Sequence, residues 1–216
     1  MRYLTKIICF ILSVFVVCFC GACESKPDYS SYLLELKQDI FSGETENLSV
    51  YATYGFNENE FDGEYFLHFK LKKCPFIESK YTLTFNYNDT EYENDFSLSD
   101  ISGVPFIKIP IKNFNEKGFE IKIKYGSTIE SISLNSILPA NTISHEKALD
   151  ILFEKQSHLL NSYYDESGVF TAKIIERVIV KNGKPYYYIG IKNGDKLKAL
   201  LIDGLSGKLL AVREVF

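Results

Sequence analysis

Residues 29–41 read "YSSYLLELKQDIF", and the period of this stretch sets what the rest of the chain is built against. Leu33, Leu36 and Ile40 recur at helical spacing, which predicts one short helix here. The polar tether "ESKPD" at 24–28 precedes it. Toward the C-terminus the period changes. From Leu48 to Leu134 seven runs alternate apolar and polar residues: "LSVYATY", "EYFLHFKLKK", "YTLTFNYN", "TEYENDFSL", "VPFIKIPI", "FEIKIKY" and "TIESISL". In "FEIKIKY" Phe119, Ile121, Ile123 and Tyr125 share one face and Glu120, Lys122 and Lys124 the other, as in a half-buried strand.

Turn signals separate these runs at Asn57 to Gly63, Asn88-Asp89, Asn115 to Gly118 and Gly126-Ser127. Short alternating strands with turns this close predict an all-β antiparallel sandwich, immunoglobulin-like in architecture, over residues 45–138. "LPANTIS" at 138–144 reads as a linker, with Pro139 ending the last strand. Ser144 then stands as N-cap to "HEKALDILFEKQSHLL", where Ala148, Leu149, Leu152, Leu159 and Tyr163 form an apolar stripe. That helix ends by Tyr164. Four strand-like runs follow, near 169–180, 185–192, 196–203 and 208–215, joined by Asn182-Gly183, Asn193-Gly194 and the turn from Asp203 to Gly207.

The stretches "ISHEKALDIL" (143–152), "YYYIGI" (186–191) and "ALLIDGLSGKLLAV" (199–212) together resemble the PepSY family. Asp203, Ser206, Gly207 and Leu210 match its final turn and short apolar strand. The resemblance implies a small helix-plus-antiparallel-sheet domain over 142–216 and a link to the regulation of extracytoplasmic peptidases. The fold class expected for the whole is therefore α+β: a sandwich, then this second domain. The Asp203 turn itself needs no ligand. An Asp side chain bonds backbone N–H groups just ahead of it, Ser206 does so more weakly, and Gly204 and Gly207 are free to take positive φ.

The N-terminus has the layout of an export leader. Arg2 and Lys6 precede an apolar stretch from Ile7 to Phe19, followed by Gly21, Ala22 and Cys23. The stretch is shorter than the about 20 residues a spanning helix needs. "CGAC" at 20–23 resembles the lipobox of bacterial lipoproteins, which implies a signal peptide over 1–22 and a Cys23 that carries acyl chains as the mature N-terminus, palmitate among them. The family usually has Leu where Cys20 stands. Cleavage after Ala22 with release, and an uncleaved anchor, are the alternatives. The resemblance places the mature chain at the cell membrane, lipid-anchored, on the extracytoplasmic face.

With Cys9, Cys18 and Cys20 in the leader and Cys23 lipidated, Cys74 is the one thiol left in the body, so no intramolecular disulfide is expected. The chain carries 24 Lys and Arg against 28 Asp and Glu, and loss of Arg2 and Lys6 makes it more acidic still. Such a balance gives no overall attraction for nucleic acid. "HEKAL" from His145 has Leu149 where a second zinc ligand would stand, and "GLSG" at 204–207 meets Lys208 where a nucleophile elbow needs glycine. His68 and His158 lie apart from His145, and no phosphate-binding glycine loop occurs. The acidic stretches "NENEFDGE" and "NDTEYEND" lack a complete calcium-loop pattern. These absences predict a protein that is not an enzyme and takes no cofactor or metal.

One face of the C-terminal strands is predicted to stay apolar beyond what one helix covers. Tyr186 and Tyr188 lie on it, opposite Tyr187, Ile189 and Ile191. It packs either on the rest of the chain or on a protein or peptide partner. The expected function is a membrane-anchored, non-catalytic binding module; the alternative, from the PepSY resemblance, is a regulator or inhibitor of an extracytoplasmic peptidase.

Overall fold

In the computed structural model, which describes residues 29–75 and 80–215, Leu33–Glu44 is a strand, β1, and not the expected short helix. Its register slips twice, between Leu33 and Glu35 against one neighbour and between Lys37 and Asp39 against another. Each bulge adds a residue to a period of two. The buried side chains therefore fall at Leu33, Leu36, Ile40 and Phe41, a spacing that imitates a helix.

The seven alternating runs form eight strands, the run from Thr90 to Leu98 giving two: β2 (Ser49–Asn57), β3 (Tyr65–Lys73), β4 (Tyr81–Tyr87), β5 (Thr90–Asp95), β6 (Ser97–Leu98), β7 (Pro105–Pro110), β8 (Gly118–Tyr125) and β9 (Thr128–Ser136). After Ser144, whose hydroxyl accepts from Lys147 N at 3.3 Å, comes helix α1 (His145–Asp150). One wider helical turn, Ile151–Lys155, and two short 3-10 turns carry the chain to Tyr163. The C-terminal meander is β10 (Lys173–Lys181), β11 (Lys184–Asn193), β12 (Lys196–Asp203) and β13 (Leu209–Val215). Asn182 and Gly183 both take positive φ at the β10–β11 turn, as the Asn-Gly signal requires.

All thirteen strands among the described residues belong to one sheet, and β1 is where it forks. Along one edge β1 pairs with β2 over almost its whole length. Along the other it pairs in parallel with β10 from Leu33 to Lys37, then antiparallel with β9 at Phe41 and Ser42. The branch through β9, β8, β4 and β5 curls over β2, β3 and β7 into a nearly closed barrel. Its core includes Phe41, Val50, Leu67, Phe69, Leu83, Phe114, Ile121, Ile123 and Leu134, and the partly buried Phe119 packs against it with its ring edge-on to Phe114 at 5.0 Å. The other branch continues through β10 to β13. Ala148, Leu149, Ile151 and Leu152 of the helical segment, all buried, serve its inner face, where Ile174, Val178, Tyr187, Ile189 and Ile202 are buried too.

Residues Tyr32–Phe216 thus form one unit. The expected fold class, an α+β arrangement of an immunoglobulin-like sandwich followed by a separate PepSY-like helix-plus-sheet domain, is not what forms. The meander has no sheet of its own: β10 extends the sheet that β1 and β2 begin. Periodicity reports the face of each strand and says nothing about which distant strand lies beside it, so this parallel pairing left no local mark.

The Asp203 turn is a structural corner. Asp203 Oδ1 accepts from Leu205 N at 3.0 Å, Ser206 N at 2.8 Å and Ser206 Oγ at 2.9 Å. Gly207 has φ +70°, whereas Gly204 does not take the positive φ expected of it; a side chain there would stand 2.7 Å from Pro185 O.

Candidate functional site

The outer face of the sheet brings together side chains from strands far apart in sequence. Across β10, β11 and β12 the register sets Ile179, Tyr186 and Asp203 in one row, and Arg177, Tyr188 and Leu201 in the next. Tyr186 and Tyr188 share this face, as expected, while Tyr187, Ile189 and Ile191 point the other way and are buried. Tyr188 lies along its own strand over Gly190, its ring edge 3.4 Å from where a Cβ would be. Both tyrosines are half-buried, and Ile179 is 41% exposed.

Toward β7 the same face turns basic. Arg177 stands in register beside Lys37 of β1 and holds Glu35 with both ends of its guanidinium, Nε to Oε1 at 2.7 Å and Nη2 to Oε2 at 2.5 Å. Two strands on, Thr53, His68 and Lys108 form a row across β2, β3 and β7, with Lys70 next along β3. Glu60 pairs with Lys108, and Phe106 meets the His68 ring edge-on at 5.9 Å. Two hollows flank this row. One, of about 210 Å³, is lined by Glu35, Lys37, Gly55, Glu60, His68 and Lys108 among others; the other, of about 150 Å³, by His68, Lys70, Ser99, Ser102 and Lys108.

His68 Nε2 is buried and finds no hydrogen-bond partner among the described residues. Burial first, then the charges of Lys70, Lys108 and Lys37, push its pKa down to about 3. Lys37 is also lowered, by burial first, with Glu35 opposing and Arg177, Lys70 and Lys108 assisting. His68 is therefore neutral at pH 7. In the unfolded chain it binds a proton near pH 6.5, so the stability it contributes is lost as pH falls from there toward 3. His68→Gln is expected to remove about 2 kcal/mol of the stability difference between pH 7 and pH 4, a figure discounted for the part-exposed ring. Urea unfolding at the two pH values measures this, and an unchanged difference would locate the acid sensitivity elsewhere.

A second cluster lies on the inner face, where the sheet forks. A cleft of about 640 Å³ opens there, lined by Asp39, Lys117, the 138–144 segment, His145, Glu146 and Tyr187. Tyr187 Oη donates to Ile143 O at 2.6 Å. Behind His145, Glu176 is completely buried, and neither carboxylate oxygen has a hydrogen-bond partner among the described residues. His145 Nδ1, at 3.9 Å, is too far to bond it. Burial, and then the charge of Glu146, raise the Glu176 pKa well above the ordinary carboxylate value. His145 is lowered, chiefly by burial.

Of the residues singled out in the sequence, Cys23 lies outside the described residues. Cys74 is free and partly buried. His68, His145 and His158 do not converge, and among the described residues no three His, Cys, Asp or Glu side chains are grouped to hold a metal. No helix among them is long and apolar enough to cross a membrane. The lysine cluster around His68 was missed because its members come from β1, β3 and β7. In "EYFLHFKLKK" the alternation does put His68 and Lys70 on one face, the only part of it visible locally.

No family model matches the chain. No curated protein matches it. Among solved structures, the crystal structure of a "putative lipoprotein" from Clostridium difficile 630 is similar at 11% identity and a TM-score of 0.30, covering 87% of each chain. A likeness at that TM-score is distant and carries neither fold nor function to this chain.

Proposed function

We propose that this chain is a lipid-anchored extracytoplasmic protein that binds a protein or peptide on the outer face of its sheet and catalyses no reaction. Cys23 carries the lipid in this reading, on the strength of the charged, apolar and small-residue order of the first 23 residues. The observation that supports the binding role is the outer surface of β10 to β12. Tyr186, Tyr188, Leu201 and Ile179 share it, and the helical segment lies on the opposite side. Partly exposed aromatic side chains on a rigid sheet offer contact area at low entropic cost. The peptidase-regulating alternative rested on a separate PepSY-like domain, and with that domain gone nothing specific favours it.

Three measurements test the proposal. Mass spectrometry of the membrane-bound protein should find an acylated N-terminal Cys23; a peptide retaining Phe19, or an unmodified Cys23, would remove the anchor. A photo-crosslinking residue placed at Tyr186 in cells should yield one discrete heterologous adduct, absent when the same residue replaces Ile129 of β9, which is 63% exposed. The double variant Tyr186→Ser with Tyr188→Ser should lose partner binding while shifting stability by less than about 1 kcal/mol. A crosslink only to the chain's own first 28 residues, or a large loss of stability, would make the face internal and sink the binding role.

A further inference from the structure

We propose that the paired hollows around His68 and Lys108 form a binding site for a phosphate group. The site lies toward the β7 end of the sheet and stands independently of any partner at Tyr186 and Tyr188.

Three lysines from three strands converge here, and Glu35 and Glu60, which line the same hollow, meet only part of the charge. Glu35 is taken up by Arg177, and Glu60 is shared with Lys108. Lys70 has no ion pair among the described residues, and the charges of Arg177, Lys70 and Lys108 all oppose protonation of Lys37. An anion seated between them would offset that repulsion.

The donor set separates phosphate from carboxylate. A planar carboxylate is matched best by the fork of an arginine, and the nearby Arg177 is already committed to Glu35. Lysine ammonium groups act as point charges with rotatable donors, which suits a tetrahedral oxyanion approached from several sides. Hydroxyls complete the set. Ser99 Oγ accepts from Ser102 N at 3.3 Å, and Ser102 Oγ accepts from Val104 N at 3.4 Å. Each hydroxyl is thus used as an acceptor within its turn, which leaves its hydrogen free to donate outward. His68, whose buried Nε2 has no hydrogen-bond partner among the described residues, lines both hollows.

Gly55, which pairs with Lys37 and Phe66 in adjacent strands, lines the first hollow, and a Cβ there would run into the β1 backbone at Leu36 O. The two hollows meet at the His68 and Lys108 row, so a ligand with two linked phosphates reaches Lys37 from one and Lys70 from the other.

The test is calorimetric titration of the full chain, held in a non-ionic detergent, with inorganic phosphate and with pyrophosphate. Saturable binding is expected, tighter for pyrophosphate and weaker as salt rises. Lys108→Gln and Lys70→Gln should each weaken it about tenfold, the scale of one charged hydrogen bond. Lys192→Gln, on the same sheet but in a row beyond Gly190, should leave it unchanged. Pyrophosphate should also shrink the acid-side loss of stability attributed to His68, because a bound anion favours the protonated ring. No saturable binding, or equal losses in Lys192→Gln and Lys108→Gln, would overturn the proposal. Equal competition by a glutamate peptide of matched charge would assign an acidic protein instead and overturn it too. Binding to phosphatidylglycerol vesicles over phosphatidylcholine ones, lost in Lys108→Gln, would identify the phosphate as a lipid headgroup; equal binding to both, with pyrophosphate uptake retained, identifies a soluble source.

Discussion

Glu176→Met is expected to stabilise the protein, and to do so more at pH 8 than at pH 4. The Glu176 carboxyl is completely buried with both oxygens unpaired, in a row that runs from Ile189 through Glu176 to Leu36, Phe56 and Tyr65. The unfolded chain releases this proton near the ordinary value of 4.5, while the folded chain holds it to well above that. Between those two values the native state binds the extra proton, so stability falls as pH rises through the window and is flat below it. Methionine has the length of the side chain without its charge. At pH 4 the gain is that of removing a neutral, unsatisfied polar group, about 1–3 kcal/mol. Each pH unit inside the window adds about 1.4 kcal/mol. Urea unfolding at pH 4 and pH 8 provides the comparison; equal gains at both would mean that Glu176 titrates normally, and a loss at both would mean that it holds a partner.

Gly55→Ala should be among the most damaging single changes in the chain, costing about 4 kcal/mol or preventing folding outright. The added Cβ would lie 1.9 Å from Leu36 O and 3.0 Å from Lys37 Cα. Those are backbone atoms of β1, beside the bulge where its register slips, and they cannot withdraw without breaking the β1–β2 ladder. Gly194→Ala is the control. Its φ is +58° with nothing within 4 Å, so only the positive-φ strain of about 1–2 kcal/mol applies. Thermal unfolding of both variants decides between them, and similar midpoints would mean that β1 yields more readily than its pairing suggests.

Local signals served this chain well wherever the fold was local. Alternation from Leu48 to Leu134 located seven runs that all became strands, and Asn182-Gly183 marked a real hairpin. Ser144 caps the helix it was expected to cap. Reading failed where two strands met across a long interval. β1 carries two bulges that turn its alternation into a helix-like spacing, and its parallel partner β10 lies far downstream. The sequence-level division at Pro139 reflects a real change of period, but a change of period separates elements and not domains. The candidate site shows the same division. Tyr186 and Tyr188 were legible because one strand contains both. The cation cluster was not, since Lys37, Lys70 and Lys108 become neighbours only through the order β1, β2, β3, β7. Glu176 sits in an otherwise apolar alternation, Ile174 to Val178, and that alternation was the available sign that it would be buried.

The fork in β1 also governs the order in which the chain acquires its structure. Glu35 and Arg177, joined across β1 and β10, are 142 positions apart, so this contact waits for most of the polypeptide to be synthesised. Pairs separated by such distances carry a large loop-closure cost and slow the search for the native state. Until β10 arrives, the first half of β1 keeps an unpaired edge while β2 already holds its other side, and an open strand edge recruits other chains as readily as its own. Among the described residues the first strand to be made is thus among the last to be completed.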